Sequence, residues 1–328
     1  MQNPIVRQSS ISALAMLAFM AVVLGVRFAL APFCCEMQMP GTQAPLAALL
    51  ATLRTAAPAW SLVAATVTTI VAGSVVGRMC IRLKIYATRC FLPMPFYAAV
   101  ACGIFMSANP LAAALASLMT AVAVNSLCNG YLKENNLTMM LYAGLCTGLL
   151  PMLDAAALPF AAVLLAAIPI FSFSPREITV LLASMLLVPA ATCYVGWLCG
   201  GEFLQPLYTL AEAFIAPSGI ETFGHDAAAA LTLCGLVVYA ALGSMVIFAT
   251  DKFSIATKSR RILIYIMILT LASAALFLMP SSSPSLFAVA AVPFSAVMPV
   301  FFIKIGERSA TLLYGAILLM LIIHTVFE

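Results

Sequence analysis

The feature that most constrains this chain is a succession of long apolar stretches separated by short polar segments. A helix needs about 20 mostly apolar residues to cross a bilayer, with a lower limit of about 17. About eleven stretches reach that limit. They cover approximately 11–31, 57–77, 91–107, 111–127, 137–153, 155–173, 178–199, 227–249, 262–279, 286–302 and 310–327. We therefore predict an all-α polytopic bundle of transmembrane helices, with residues 1–328 forming a single integral membrane domain.

Composition supports the same class. Hydrophobic residues make up 64% of the chain and charged residues 8%, whereas soluble domains have roughly 45–50% and about 25%. The net charge of +4 comes from basic residues that are scattered between apolar stretches. Because nucleic-acid-binding proteins gather their basic residues on one face, this distribution predicts no nucleic-acid partner.

The positions of lysine and arginine predict the orientation. If the N-terminus is cytoplasmic and the spans alternate, 13 of the 15 basic residues fall on the cytoplasmic side. These are Arg7, Arg78, Arg82, Lys84, Arg89, Lys133, Arg176, Lys252, Lys258, Arg260, Arg261, Lys304 and Arg308. Arg54 alone is external, and Arg27 lies within the first span. The positive-inside rule thus predicts a cytoplasmic N-terminus and an external C-terminus. The third and fourth stretches are short, so they also allow a hairpin that does not fully cross.

Two external loops, 32–56 and 200–226, are long enough to be functional. In the first, Leu46, Leu49, Leu50 and Leu53 recur at helical spacing. In the second, apolar and polar residues occupy opposite helix faces. The apolar face has Phe203, Leu207, Leu210 and Phe214, and the polar face has Glu202, Gln205, Thr209 and Glu212. Each loop is predicted to contain an amphipathic helix at the membrane surface.

Prolines interrupt several predicted spans, at positions 159, 169, 189, 293 and 299. Each removes a backbone donor and kinks or breaks its helix. Within a membrane, such breaks persist where neighbouring helices or a cavity satisfy the freed groups, and both alternatives remain open here.

Sequence motifs that carry chemistry are scarce. The chain has no nucleotide-binding loop, no HExxH, no GxSxG, no CxxC pair and no zinc-ligand spacing of Cys and His. We therefore predict no metal site and no cofactor. Charges within spans are confined to span ends, which argues against a proton-coupled carrier. Asp154 is interpreted as a loop acid between two spans.

Four segments carry a resemblance to a known family: 86–100 (YATRCFLPMPFYAAV), 135–153, 172–198 and 288–318. They resemble a family of uncharacterised polytopic inner-membrane proteins of Bacteroidota. The resemblance covers most of the chain and implies a location in the bacterial inner (cytoplasmic) membrane.

The layout also resembles that of GT-C glycosyltransferases, which use polyprenyl-phosphate-linked sugars. Those enzymes have an acidic residue just after the first span, then a membrane-surface helix, and a longer external loop after the seventh span. Glu36 stands at the acidic position, so the resemblance implies that it is the catalytic carboxylate. Arg27 and Arg54 are then the candidates for holding a lipid phosphate. The second loop supplies the other substrate-binding candidates: Glu202, His225 and Asp226.

The chain departs from that family in three respects. The first loop has one acid where the family often has a pair, the second external loop has none, and no large soluble C-terminal domain follows. Three functions therefore remain open, all with membrane lipid as a partner. The first is a lipid-linked sugar transferase of cell-envelope biogenesis. The second is a transporter or flippase for a neutral or lipidic substrate, and the third is a non-catalytic subunit that binds envelope proteins.

Overall fold

The computed structural model describes residues 9–30, 44–86, 88–102, 104, 107, 109–133, 136–216, 227–251, 256–279 and 284–327. Within these residues the secondary structure is helical, so the predicted all-α class is confirmed. The helices are α1 (Ser10–Leu30), α2 (Pro45–Ala56), α3 (Pro58–Arg82), α4 (Pro93–Ala101), α5 (Pro110–Leu132), α6 (Leu137–Leu153), α7 (Leu158–Leu164), α8 (Ala167–Phe171), α9 (Pro175–Leu198), α10 (Gln205–Ile215), α11 (Ala227–Asp251), α12 (Thr257–Leu276), α13 (Leu286–Lys304) and α14 (Glu307–Phe327).

Five of the helices searched among the described residues are long and apolar enough to cross a membrane: α3, α5, α9, α12 and α13. The chain is thus a membrane-embedded helical protein. Polar caps define several helix ends. Asn136 accepts a hydrogen bond from the Met139 N–H at the start of α6. Ser174 and Glu177 form a reciprocal capping box at the start of α9.

Within the predicted span at 91–107, the structure describes the nine-residue helix α4, which is about 14 Å long, whereas the hydrocarbon core is about 30 Å thick. Residues 103, 105 and 106 lie outside the described residues, so the crossing at 91–107 stays a prediction. The loop that precedes α4 also buries apolar side chains. Leu83, Ile85, Cys90 and Leu92 are all buried in it. By contrast α5 has 23 residues and reaches full length.

The predicted span at 155–173 is broken into a 3-10 turn (Ala155–Ala157), α7 and α8. Pro169 explains the break at 165–166, because proline has no N–H for the carbonyl four residues earlier and its ring crowds that carbonyl. The hydroxyl of Tyr265 donates to the Leu164 carbonyl at 3.0 Å. A neighbouring helix therefore supplies the hydrogen bond that the break removes.

Helix α13 forms the centre of the bundle, because 16 of its 19 residues are buried. It packs against α3, α4, α5, α11 and α12. Its two prolines, Pro293 and Pro299, leave its backbone partly unpaired. The Tyr86 hydroxyl donates to the Ala296 carbonyl at 2.6 Å, and Ser244 Oγ accepts from the Phe301 N–H at 3.1 Å. Neighbouring side chains thus bond backbone groups of α13 close to Pro299.

Helices α6 and α9 approach so closely that their backbones touch. Gly144 and Gly148 lie four residues apart on α6 and face α9. A Cβ atom on Gly148 would lie 2.3 Å from the carbonyl oxygen of Met185. Small residues four apart allow such close approach between membrane helices. The opposite face of α9 exposes large apolar residues such as Leu186 and Leu187, as expected for contact with lipid.

Candidate functional site at one end of the bundle

Segments from the predicted external loops meet at one end of the bundle. The Asn109 side-chain amide donates to the Ala47 carbonyl at 2.9 Å, which joins the start of α5 to α2. The Ser285 hydroxyl donates to the Asp154 carboxylate, which joins the start of α13 to the end of α6. Helix α10 contacts both α2 and the 3-10 turn at Ala155–Ala157. We call this end, formed by α2, α10, the 3-10 turn, Asn109, Asp154 and Ser285, the cap.

A small apolar cluster holds the cap together. Its buried members are Ala44, Ala47, Ala112, Met152, Ala155, Val188 and Leu210. The cluster brings α2 and α10 into contact with the ends of the membrane helices. Because it is separate from the main core, the two short helices rest on the bundle and are not buried within it.

Both loops contain the predicted helices. The apolar face of each helix is buried in part and exposed in part. On α10, Leu210 is buried, Phe214 is half-buried and Leu207 is exposed, and Phe203 is exposed in the turn before the helix. The helix itself begins at Gln205, and the polar side chains of Glu202 and Glu212 are exposed as predicted. On α2, Leu49 is 63% exposed, so each short helix keeps an outward apolar surface.

The carboxylate of Asp154 is held in place by hydrogen bonds within the cap. Asp154 ends α6 and caps the 3-10 turn, where its Oδ1 accepts from the Ala156 N–H at 3.1 Å. Its Oδ2 accepts from the Ser285 hydroxyl at 2.5 Å. Burial raises the pKa of the Asp154 carboxyl, and the hydrogen bonds from Ser285 and the Ala156 N–H lower it in part. Carboxyls with raised pKa values are suited to general acid–base catalysis near neutral pH.

The interpretation of Asp154 as an ordinary loop acid was therefore incomplete, since the residue is half-buried and accepts two hydrogen bonds. A signal existed in the sequence. Asp154 precedes three alanines and then Leu158-Pro159, a pattern typical of a helix N-cap. The pairing with Ser285 had no such signal, because the two residues are 131 positions apart.

The structure describes only some of the site residues that were predicted from the sequence. Glu36, His225 and Asp226 lie outside the described residues, and the Arg27 side chain lies outside them as well, although its backbone is in α1. Arg54 is half-buried in the last turn of α2, where the helix dipole favours a cation. Glu202 is exposed in the turn before α10. The convergence of Glu36, Arg27 and Arg54 stays a prediction.

Aromatic and basic residues mark the two ends of the bundle. Trp60 and Trp197 are both exposed at the cap end, as in the aromatic belt of a membrane interface. The described basic residues other than Arg54 and Arg27 lie near helix ends, or in the loop between α3 and α4, away from the cap. They are Arg78, Arg82, Lys84, Arg89, Lys133, Arg176, Lys258, Arg260, Arg261, Lys304 and Arg308.

Comparison of the chain with protein-family models, curated proteins and solved structures finds no match in any of the three.

Proposed function

We propose that this protein crosses the bacterial inner membrane eleven times, with a cytoplasmic N-terminus and an external cap. Three observations support this topology. Predicted external segments touch one another at the cap, tryptophans lie at the same end, and basic residues occupy the other. In this topology, α7 and α8 make one crossing together, and α4 makes one with the residues that follow it to position 107.

We further propose that the cap acts on a polyprenyl-phosphate-linked sugar, as a transferase of cell-envelope biogenesis similar in layout to GT-C enzymes. The observation that carries this proposal is the Asp154 carboxylate, which accepts hydrogen bonds from Ser285 and the Ala156 N–H at the end of the bundle where α2 and α10 lie. A lipid-linked substrate presents its phosphate and sugar at headgroup depth, while its chain stays in the bilayer. The exposed apolar side chains of α2 and α10 suit that boundary.

In this proposal, Asp154 takes a proton from the acceptor hydroxyl while that oxygen bonds to the anomeric carbon of the sugar. The bond between this carbon and the phosphate oxygen breaks, and the polyprenyl phosphate leaves with its electron pair. A base is most effective when its pKa lies close to the working pH, and burial moves Asp154 in that direction. Arg54 holds the lipid phosphate by charge-assisted hydrogen bonds. Arg54 lies seven residues along α2 from Ala47, the residue that Asn109 bonds in the cap. Seven residues span about 10 Å in a helix. Glu36 remains the candidate for a second carboxylate, with Arg27, Glu202, His225 and Asp226 as further substrate-binding candidates.

The transporter alternative gains no support from the described core. Near the breaks in α7–α8 and α13, side chains of neighbouring helices or loops bond the backbone at Leu164, Ala296 and Phe301, so these polar groups contact protein. Transporters instead direct such broken backbone towards a substrate cavity. The alternative of a non-catalytic subunit is distinguished from the transferase by experiment.

The test uses the full-length protein in proteoliposomes that contain a radiolabelled polyprenyl-phosphate-linked sugar. Transfer to an acceptor, or release to water, is measured for the wild type and three variants. We expect Asp154→Asn and Glu36→Gln each to lower the rate roughly 10²-fold or more. The control Glu212→Gln removes an exposed carboxylate from α10 and should leave the rate unchanged.

Two results would contradict the transferase. One is the absence of transfer by wild-type protein across a panel of lipid-linked sugars. The other is an Asp154→Asn protein that is folded and fully active. Either result, with wild-type protein that still co-purifies with envelope proteins, would favour the non-catalytic subunit.

A further inference from the structure

Five cations from three helices lie together at the end of the bundle opposite the cap. They are Lys258, Arg260 and Arg261 at the start of α12, Lys304 at the end of α13, and Arg308 at the start of α14. We propose that this group, the α12–α14 basic patch, binds the phosphate headgroups of anionic phospholipids in the adjoining leaflet. The proposal concerns the end away from the cap and does not depend on the cap's activity.

Chain connectivity brings the patch together. Helices α12 and α13 pack against each other and are joined by residues 277–285, so the start of α12 and the end of α13 share one end. Only Ile305 and Gly306 separate α13 from α14. Arg308 in the first turn of α14 therefore lies at the same end of the bundle as Lys304, and the five cations share that end.

The depth of the patch suits a lipid headgroup. Each of its cations lies within about one helical turn of a helix end, and one turn is about 5.4 Å. Four of the five side chains are exposed, and Arg260 is half-buried. Cations at such positions lie at headgroup level, where the anionic lipids of the cytoplasmic leaflet attract them.

The patch has a strong excess of positive charge. The first turn of α12 contains no acidic residue, and its N-cap, Ala256, has no side-chain hydrogen bond. Because a helix N-terminus carries partial positive charge, the three cations there repel it and one another. Within 256–261 and 304–308, Glu307 is the one acidic residue. A bound anion would relieve this repulsion.

Apolar residues beside the patch favour a lipid over a soluble anion. Leu312 follows Arg308 by one turn on α14 and is 75% exposed, and Ile264 follows Arg260 by one turn on α12 and is 37% exposed. Each helix thus presents a cation and then an exposed apolar side chain along its axis. An amphiphile with a phosphate headgroup and an acyl chain matches this order of charge and apolar surface.

The experiment measures binding of a short-chain phosphatidylglycerol to detergent-solubilised full-length protein, with short-chain phosphatidylcholine and inorganic phosphate as parallel ligands. We expect phosphatidylglycerol to bind, phosphatidylcholine to bind much more weakly, and rising salt to weaken binding because it screens exposed charges. The triple variant Lys258→Gln/Arg260→Gln/Arg261→Gln should lose roughly 10²-fold in affinity. This follows from a factor of roughly five for each cation near an anionic surface.

The matched control is Lys258→Arg/Arg260→Lys/Arg261→Lys, which alters the same positions and keeps every charge. It should bind phosphatidylglycerol within about threefold of the wild type, because the attraction depends mainly on charge. Two results measured on the wild-type protein would overturn the proposal without any variant. They are equal affinity for the two phospholipids and binding that does not depend on salt. Inorganic phosphate binding as tightly as phosphatidylglycerol would overturn the lipid as the occupant.

Discussion

The contact between α6 and α9 gives the sharpest test of the fold, through the substitution Gly148→Ala. The new Cβ atom would lie 2.3 Å from the Met185 carbonyl oxygen, whereas ordinary contacts of this kind are 3.4–4 Å. The obstacle is backbone and cannot rotate away, so α9 must move by about 1 Å to restore an ordinary contact. Overpacking of a core costs typically 1–3 kcal/mol.

Because the Met185 carbonyl belongs to the backbone, we place the overpacking cost of this substitution in the upper half of that range, at about 2–3 kcal/mol. Alanine gains about 1 kcal/mol over glycine in a helix interior. We therefore expect Gly148→Ala to lower the free energy of unfolding by about 1–2 kcal/mol. The matched control is Gly315→Ala on α14, where a Cβ atom would meet nothing within 4 Å. That control should be neutral or stabilising by up to about 1 kcal/mol.

Unfolding can be followed by a thiol-reactive dye, because Cys80, Cys90 and Cys128 are buried and react only when the bundle opens. Among the described cysteines, Cys199 and Cys234 are exposed and contribute to the starting signal. A Gly148→Ala protein as stable as Gly315→Ala would refute the close contact of α6 and α9. A shift of α9 should also disturb α10, since only a short turn through Gly200 joins them.

Three further outcomes are expected. Burial raises the pKa of folded Asp154 above its unfolded value of roughly 4. Stability should therefore fall as pH rises through the window between these two values and stay level above it, and Asp154→Asn should abolish that slope in a thermal-unfolding series. Ser244→Ala should cost about 1–3 kcal/mol by leaving the buried Phe301 N–H unpaired, whereas Ser74→Ala should cost under about 0.5 kcal/mol as a surface change. Reporter fusions should mark two sides of the membrane, with the cytoplasmic set at Lys84, Lys133 and Arg260 and the external set at Gln43, Ser218 and Ser282.

The sequence predicted regular helices well and irregular ones poorly. Helix α6 begins and ends at the predicted residues because Asn136 and Asp154 cap its ends. The bounds of α4 were not predicted, because hydropathy reports burial and not conformation, and residues 92–102 are all buried. The break between α7 and α8 likewise depends on where Pro169 falls and on Tyr265, which is about 100 residues from its partner Leu164.

The candidate site could be predicted only in its local parts. Amphipathic spacing predicted both cap helices, since that pattern extends over neighbouring residues. The bonds that assemble the cap are long-range, such as Asn109 to Ala47 and Asp154 to Ser285, and no local pattern encodes them. Asp154 could therefore be predicted as a helix cap but not as the centre of the site.

The central position of α13 has a consequence for the order in which the protein is built. A ribosome makes α13 after the helices that pack around it, namely α3, α4, α5, α11 and α12. Until then the Tyr86 hydroxyl and Ser244 lack the α13 backbone groups that they bond in the finished bundle. The nine-residue α4, buried throughout, also has no α13 to cover it. The earlier helices therefore cannot complete their packing in the bilayer until α13 enters the centre.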